Sequence, residues 1–350
     1  MLYAGVSWSA DGYGLAIVDE VGRALAAPAR YPPGEAGELI AELARRGDDL
    51  VAVVESTNGT IDGRLMAAGI RVCRADPWQL PERPPFGSVP ADVLARTARR
   101  NPGALTRLAP DRGTQTGRED WLTANIDASA AQESVLTADG RCLAHGARTG
   151  RRVALTFDDG PLPPYTTEVL RVLERYQVPA TFFCIGLNAM AYPDEVRKIR
   201  DHGHSFGNHT WSHPFLPELT RSALAEQLDR TAELIATVSG ADRPRFFRPP
   251  YGSRTPEVLR WLGELNTTTV LWDVAPDDWA MPGAQTIATG VVNETTDGSI
   301  VLLHDGGGDR SQTVAALPSI IESLLDRGFE FVRVDDLAHP GRDSGLTRAS

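Results

Sequence analysis

Cysteine is scarce in this chain: three occur in 350 residues, at Cys73, Cys142 and Cys184. An odd number of widely separated thiols does not make a disulfide framework and fits the reducing interior of a cell. Long apolar runs are also missing, and no window approaches the ~20 continuous apolar residues of a membrane span. The first residues lack the basic and then apolar regions of a signal peptide. The sequence therefore predicts a cytoplasmic protein with no membrane partner.

Excess positive charge is lacking too. Lys and Arg number 35 against 46 Asp and Glu, which gives a formal net charge of −11. This balance argues against a nucleic-acid backbone as the main partner, because such binding needs clustered basic residues. With 42% hydrophobic and 23% charged residues, the composition is that of a globular protein with room for about two domains.

The first hundred residues alternate strand-like and helix-like stretches, which predicts an α/β domain. The predicted strands are at 3–7, 15–18, 50–54 and 70–74, with a helix at 35–46. A proline-rich loop follows at 76–90. We predict a domain over residues 1–111, a linker with one or two helices over 112–150, and a C-terminal tail over 339–350.

A second α/β pattern covers residues 151–338. Seven strands are predicted, at 153–157, 180–185, 205–208, 246–248, 268–272, 300–303 and 330–334. Helical apolar spacing fills the gaps, at 167–176, 194–202, 221–239, 256–265, 285–294 and 313–327. This alternation implies parallel strands that close into a barrel, with an active site at the carboxyl ends of the strands.

Asp158 and Asp159 follow the first of these strands. Two adjacent carboxylates are costly to bury unless they are paired or bind a metal, and the alternative is a turn with a capping aspartate. Neighbouring residues at a strand end point in different directions, so one carboxylate can bind a metal while the other faces the metal's water. We assign Asp159 as a metal ligand and Asp158 as the general base.

His209 and His213 are four residues apart and would share one face of a helix that begins there. Such spacing is also common on polar surfaces, as His202 and His204 illustrate. With Asp159, however, the pair offers two nitrogens and one oxygen and leaves a fourth position for water. This set suits Zn²⁺, with Co²⁺ or Ni²⁺ as alternatives. The metal would lower the pKa of its water towards ~7 and polarise a substrate carbonyl.

Arg248 ends a later strand, where it is either a surface ion pair or, as we expect, the group that orients Asp158. The backbone N–H of Tyr251, after two prolines, is a candidate oxyanion donor. His304 ends another strand, and we assign it as the general acid for the leaving amine or alcohol. Trp279 and Leu302 are either core residues or an apolar wall that fits an acetyl methyl.

Five segments carry a family resemblance: Thr-Phe-Asp-Asp-Gly at 156–160, His-Thr-Trp-Ser-His at 209–213, Arg-Pro-Pro-Tyr-Gly at 248–252, Asp-Asp-Trp at 277–279 and Leu-Leu-His at 302–304. Through them, residues 151–338 resemble the NodB-homology polysaccharide deacetylases, carbohydrate esterase family four. The resemblance implies a distorted (β/α) barrel, a divalent metal, and removal of N- or O-acetyl groups from sugars. By position, the family's base, metal triad and acid correspond to Asp158, to Asp159, His209 and His213, and to His304.

The fourth segment departs from the family pattern, which has two aspartates separated by two residues before the tryptophan. Ala275 occupies the first position, while Asp278 and Trp279 keep the rest. Asp273 and Asp277 are candidate substitutes. We expect Asp278 to serve the catalytic site, and changes in such supporting residues commonly reduce activity about 10–100-fold without abolishing it.

The stretches at 3–7, 17–22, 53–59 and 92–95 resemble the RuvC-like, RNase H-fold domain of insertion-sequence transposases, in which carboxylates at strand ends hold two metals. Ser7 stands where the first aspartate is expected, which leaves Glu55 and Asp92. We therefore predict a degenerate domain that packs, dimerises or restricts the substrate. The simpler alternative is an α/β domain with no remaining chemistry.

The sequence thus favours a metal-dependent hydrolase that removes an acetyl group from an N- or O-acetylated sugar or oligosaccharide. Three alternatives stay open: a deacylase of a non-sugar small molecule, a nucleic-acid-binding protein acting through residues 1–111, and a catalytically inactive scaffold. The substrate, the metal in the cell and the oligomeric state do not follow from the sequence.

Overall fold

The computed structural model describes residues 1–338, and the tail predicted over 339–350 lies outside the described residues. The chain forms two sheets with flanking helices. Strands of the first sheet are β1 (Leu2–Ser9), β2 (Gly12–Asp19), β3 (Ala29–Tyr31), β4 (Leu50–Glu55), β5 (Arg71–Ala75) and β6 (Thr106–Arg107). Its helices are α1 (Ala36–Ala44), α2 (Asp62–Ala67) and α3 (Ala91–Arg100).

The first sheet is mixed, with the order β3-β2-β1-β4-β5-β6. The strand β4 runs parallel to both β1 and β5, and the other pairs are antiparallel. On β1, Ala4, Val6 and Trp8 alternate into the core and are almost fully buried. The predicted α/β alternation is present, and the likeness to an RNase H-fold domain stays a prediction.

The second sheet is parallel throughout and curls into a half-barrel. Its strands are β7 (Cys142–Leu143), β8 (Arg152–Asp158), β9 (Thr181–Cys184), β10 (Ser205–Asn208), β11 (Phe246–Phe247), β12 (Thr268–Val270), β13 (Ser299–His304) and β14 (Glu330–Phe331). The order is β13-β8-β9-β10-β11-β12-β7, with β14 beside β8. Isolated bridges at His145–Ser299 and Val274–Val301 connect its two ends. All seven predicted strands of this half are present.

Helices surround this half-barrel. They are α4 (Glu119–Ala138), α5 (Tyr165–Tyr176), α6 (Gly186–Ala191), α7 (Pro193–Asp201), α8 (Arg221–Ser239), α9 (Pro256–Glu264), α10 (Ala284–Glu294), α11 (Ser311–Asp326) and α12 (Val334–Ala338). The short helix α6 has no counterpart in the sequence prediction. Within residues 1–338, no helix is both long and apolar enough to cross a membrane.

The segment 112–150, predicted as a linker, holds the 20-residue helix α4 and the strand β7. Leu136 of α4 is buried in one cluster with Leu259 and Leu262 of α9. The strand β7 completes the second sheet by pairing with β12. This segment is therefore packed against the second half, although the exact domain boundaries stay a prediction.

A shared hydrophobic cluster holds the two halves together. Ile185, Leu187 and Trp211 come from the second half and are buried in the core of the first sheet, beside residues such as Val6 and Trp8. Trp211 lies between the two histidines of the predicted metal site. The position of that site is therefore tied to the packing of the N-terminal half.

Candidate metal and catalytic site

The predicted site residues meet because the strands of the half-barrel are parallel. Asp158 is the last residue of β8, and His304 is the last residue of β13. His209 directly follows β10, and Arg248 directly follows β11. Parallel strands present their carboxyl ends at the same edge, so these side chains converge there.

Asp159, His209 and His213 form the most compact donor cluster of the site. Asp159 Oδ1 lies 3.5 Å from His209 Nε2 and 3.2 Å from His213 Nε2. One ligand atom from each residue lies within 4.8 Å of the others, and no other group of three such side chains in residues 1–338 is close enough to hold a metal ion.

The two histidines do not lie on a helix, so the helical interpretation of their spacing is wrong. Residues 209–213 form a loop in which Thr210 and His213 have positive φ angles of 69° and 58°. The side-chain oxygen of Gln227, on α8, accepts hydrogen bonds from the N–H groups of Trp211 and Ser212, at 2.7 and 3.0 Å. These bonds satisfy the loop's backbone locally, and the histidines meet through the fold of the loop.

The protonation states of the donors suit metal binding. Because the Arg248 carbonyl oxygen can only accept, His209 Nδ1 carries the hydrogen in their 2.8 Å bond and Nε2 is left as a donor atom. Burial lowers the pKa of His213 to about 3, which keeps its ring neutral.

The fit to a metal also follows from what the protein leaves unsatisfied. Asp159 Oδ1 and His213 Nδ1 are buried and have no hydrogen-bond partner among the described residues. An unpaired buried carboxylate oxygen is costly unless a cation compensates it. Two imidazole nitrogens and one carboxylate oxygen are ligands that Zn²⁺ and similar divalent ions accept, so the residues present fit a metal.

Arg248 holds Asp158 rigidly. The Arg248 side chain is fully buried, and its Nη1 donates to Asp158 Oδ1 at 2.7 Å and to Thr156 Oγ1 at 2.8 Å. Its remaining donors reach the carbonyl oxygens of Val270 and Leu271. Asp158 Oδ2 is left to face the donor cluster, 3.6 Å from His209 Nε2. The structure thus contains the contact through which we expected Arg248 to orient Asp158.

Asp278 fixes His304 from the opposite side of the site. Its Oδ1 lies 2.7 Å from His304 Nδ1, and its Oδ2 accepts the backbone N–H of His304 at 2.9 Å and the hydroxyl of Thr313 at 2.7 Å. Burial alone would lower the pKa of His304, but the Asp278 carboxylate raises it above its ordinary value. The raised pKa favours the protonated form that a general acid needs.

The fourth segment departs from the family pattern at Ala275. Neither candidate substitute, Asp273 or Asp277, supports His304 or Arg248. Asp273 instead pairs with Arg148 Nη1 at 2.7 Å and accepts the backbone N–H of Ile300 at 2.8 Å. Asp277 is exposed at the rim. The expectation that either residue replaces the aspartate missing at Ala275 is therefore wrong, because Arg248 already directs its other donors to backbone carbonyls.

A pocket of about 290 Å³ opens onto these groups. Tyr251, Trp279 and Leu302 line it, as the sequence analysis expected for substrate-binding residues. The Tyr251 ring packs edge-on against His213, with 4.4 Å between centroids, and Tyr251 itself has a positive φ of 59°. Leu302 is 7% exposed and Trp279 is half-buried, so both offer apolar surface to the pocket.

The pocket also has lining residues that the sequence analysis missed. Asp62, Met66, Thr114 and Gln115 belong to the N-terminal half or to the segment after it. No signal at these positions pointed to the site, because the recognised segments all follow residue 150. The only hint was the stretch 53–59, which was singled out for a different resemblance.

Comparisons with known proteins find relatives of this chain. The family model described as polysaccharide deacetylase matches residues 145–270. A peptidoglycan-N-acetylglucosamine deacetylase of Bacillus cereus is 41% identical over 187 residues, which cover 53% of this chain and 87% of that protein. A chitooligosaccharide deacetylase of Bradyrhizobium sp. is 40% identical over 191 residues, with 51% of this chain and 87% of that protein covered.

A solved structure of a deacetylase has a similar fold. The crystal structure of a peptidoglycan N-acetylglucosamine deacetylase, in complex with a naphthalenyl N-oxidanyl-benzamide, superposes with a TM-score of 0.56 at 35% sequence identity. The match covers 58% of this chain and 94% of that one.

Proposed function

Because the chain belongs to the polysaccharide deacetylase family, we propose that it hydrolyses the acetamide group of an N-acetylated sugar or oligosaccharide, with O-acetylated sugars as a second substrate type. One observation carries the proposal: three metal donors, an arginine-held carboxylate and an aspartate-held imidazole all face the same pocket. This combination supplies every group that amide hydrolysis requires.

Asp159, His209 and His213 would hold the metal, for which we propose Zn²⁺, with Co²⁺ or Ni²⁺ as substitutes. When bound, such an ion supplies Lewis acidity towards the acetyl oxygen and towards a water molecule.

The protein's own groups would move the protons. Asp158, held by Arg248, accepts a proton as water adds to the acetyl carbon. His304, protonated through Asp278, donates its Nε2 proton to the sugar nitrogen as the carbon–nitrogen bond breaks. The products are acetate and the free amine.

The remaining residues would position the acetyl group. The Tyr251 backbone N–H is the proposed donor to the developing oxyanion. Trp279 and Leu302 offer the apolar surface against which the acetyl methyl packs.

Acetate release tests the proposal directly. The full chain is stripped of metal with a chelator, reloaded with Zn²⁺, Co²⁺ or Ni²⁺, and incubated with N-acetylglucosamine oligomers and with acetylated xylan. We expect acetate only after reloading. Absence of acetate from every substrate and metal would overturn the proposal, and release that chelation leaves unchanged would overturn the metal assignment.

For residues 1–111 we propose a degenerate RNase H-like domain without its own catalysis. Glu55 is buried and Asp92 lies on α3, and neither joins a metal-compatible group among the described residues. Titration of the full chain with duplex DNA at low salt is expected to give no binding. A steep salt-dependent affinity would instead favour a nucleic-acid role.

A further inference from the structure

The N-terminal half contributes directly to the active-site pocket. Two segments before the second half line the pocket: residues 59–66 of the N-terminal half, around the start of α2, and residues 110–115, after β6, where that half joins the segment 112–150. Both lie outside residues 145–270, to which the family model is matched. A feature of the site built from these segments is therefore a property of this chain's own architecture.

The first segment packs against the site without a gap. A Cβ at Gly59 would lie 2.8 Å from His213 Nδ1 and 2.6 Å from the His213 carbonyl oxygen, and it would overlap the hydroxyl of Tyr251. These distances are too short for any side chain, so the Gly59 backbone rests directly on the proposed metal ligand His213. Only glycine permits this approach.

The same segment reaches the opposite side of the site four residues later. A Cβ at Gly63 would overlap the carbonyl oxygen of Gly307, in the loop after His304. The segment 59–63 thus spans from the loop that carries His213 to the loop that follows the proposed acid. Gln115 strengthens the closure, because its Nε2 donates to the Tyr251 carbonyl oxygen at 3.2 Å.

Asp62 is the buried acidic side chain of this wall, and burial raises its pKa to about 7. It is 5% exposed and lines the pocket. Its Oδ1 accepts the Gly63 N–H at 2.7 Å, and its Oδ2 accepts the Thr114 hydroxyl. These two bonds fix its orientation, and a carboxyl group in either protonation state keeps further hydrogen-bonding positions for a ligand's hydroxyl groups.

We propose that residues 59–66 and 110–115 close one end of the pocket, so that it takes the terminal unit of an acetylated sugar chain, with Asp62 binding a hydroxyl of that unit. The proposal rests on the proposed function. The pocket volume of about 290 Å³ is just below the ~300–1,000 Å³ typical of ligand sites, which is room for one sugar unit.

Substrate length tests the closure. The metal-loaded full chain is given N-acetylglucosamine oligomers of one to six units, and mass spectrometry locates the acetyl groups lost. We expect one loss per chain, at an end, and kcat/KM that changes less than about threefold from dimer to hexamer, because further units find no subsites. Internal or multiple losses would overturn the closure. No acetate at any length would instead remove the proposed function.

Asp62→Asn tests the proposed hydroxyl contact. We expect KM for the oligomers to rise up to about tenfold, the upper end of the effect of losing one hydrogen bond, with kcat nearly constant. The matched control is Asp92→Asn, an acidic residue of the same half that does not line the pocket. Its KM should equal that of the unchanged chain.

A second substrate separates recognition from structure. Aryl acetate hydrolysis uses the same catalytic groups but offers no sugar hydroxyl. Asp62→Asn should therefore lower the ratio of kcat/KM for sugar over aryl acetate up to about tenfold, as the loss of one hydrogen bond predicts. An equal loss on both substrates would show that Asp62 only supports the fold, and unchanged constants on both would also overturn its proposed role.

Discussion

The two halves of the chain both place a carboxylate at the end of a buried strand. Glu55 ends β4 in the first sheet, and Asp158 ends β8 in the second. Their exposures are nearly equal, at 2% and 3%. Their partners differ, because Glu55 accepts hydrogen bonds from the Thr57 hydroxyl and the Val89 N–H, whereas Asp158 meets the guanidinium of Arg248.

This difference determines what each carboxylate can do. Burial raises the pKa of Glu55 above its ordinary value, since neutral hydroxyl and amide partners offset little of the lost hydration. Asp158 has a fixed cation on one oxygen and imidazole nitrogen facing the other. A strand-end carboxylate becomes a candidate catalytic group when other strand ends bring it charged or metal-binding neighbours. Among the described residues, the hydrogen-bond partners of Glu55 are neutral.

Removal of a metal donor from the second half should have the largest effect on activity. In His213→Ala we expect bound metal to be lost and acetate release to fall by more than ~10⁴-fold, beyond the effect of losing a single acid or base. Metal content and acetate release are measured on the same preparation. The control His202→Ala removes an exposed histidine whose partners are the Lys198 carbonyl, Glu174 and the ring of His204, none of them in the donor cluster, and it should change neither quantity. Full metal occupancy in His213→Ala would contradict the ligand assignment.

The proposed base gives the next largest effect. Asp158→Asn keeps the shape of the side chain but cannot accept the proton, so kcat should fall about 10²–10⁴-fold. The metal content should stay near that of the unchanged chain, because the donor cluster is intact. An unchanged kcat would show that another group is the base.

Asp278→Asn should produce a smaller loss and a change in pH dependence. We expect activity to fall about 10–100-fold. Asp278 raises the pKa of His304, so its loss should make His304 give up its proton at lower pH and move the alkaline limb of kcat/KM to lower pH. The control Asp273→Asn, whose partners are Arg148, Ser299 and Ile300, should keep the limb in place. A limb that stays unmoved in Asp278→Asn would refute the pairing.

The smallest effect is expected for Glu55 in the first sheet. The raised pKa of Glu55 means that the folded chain holds the Glu55 proton more tightly than the unfolded chain, in which the pKa of Glu55 is 4.5. Its contribution to stability is therefore present below pH 4.5 and is lost as pH rises through the folded pKa. Glu55→Gln should remove this pH dependence of the unfolding free energy, whose slope for a single proton is at most about 1.4 kcal/mol per pH unit. Acetate release should stay unchanged. Urea unfolding at several pH values measures the slope, and identical pH profiles would contradict the prediction.

Patterns local in sequence predicted most of the fold. The helix α8 begins and ends where expected because its caps are encoded beside it: the Thr220 hydroxyl accepts the Ala223 N–H at 3.2 Å, and Gly240 closes the helix with a φ of 72°. The strand β7 was missed because it has only two residues and depends on pairing with β12, far away in the chain.

The same distinction applies to the site. Asp158, Asp159, His209, His213 and His304 lie at strand ends or follow them closely, so their convergence could be predicted from the strands. The path of the loop 209–213 could not be predicted, because it depends on hydrogen bonds to the side chain of Gln227. The wall containing Asp62 could not either, since it exists only where the two halves pack together.

The contact between Gly59 and His213 has a thermodynamic consequence. A ligand that binds only the folded chain adds its binding free energy to the stability of everything that must be folded to form its site. Because the Gly59 backbone rests on His213 and Trp211 is buried in the core of the first sheet, a metal held by His213 stabilises both halves. The N-terminal half and the metal centre are therefore expected to unfold together, in one cooperative transition whose midpoint rises with metal concentration.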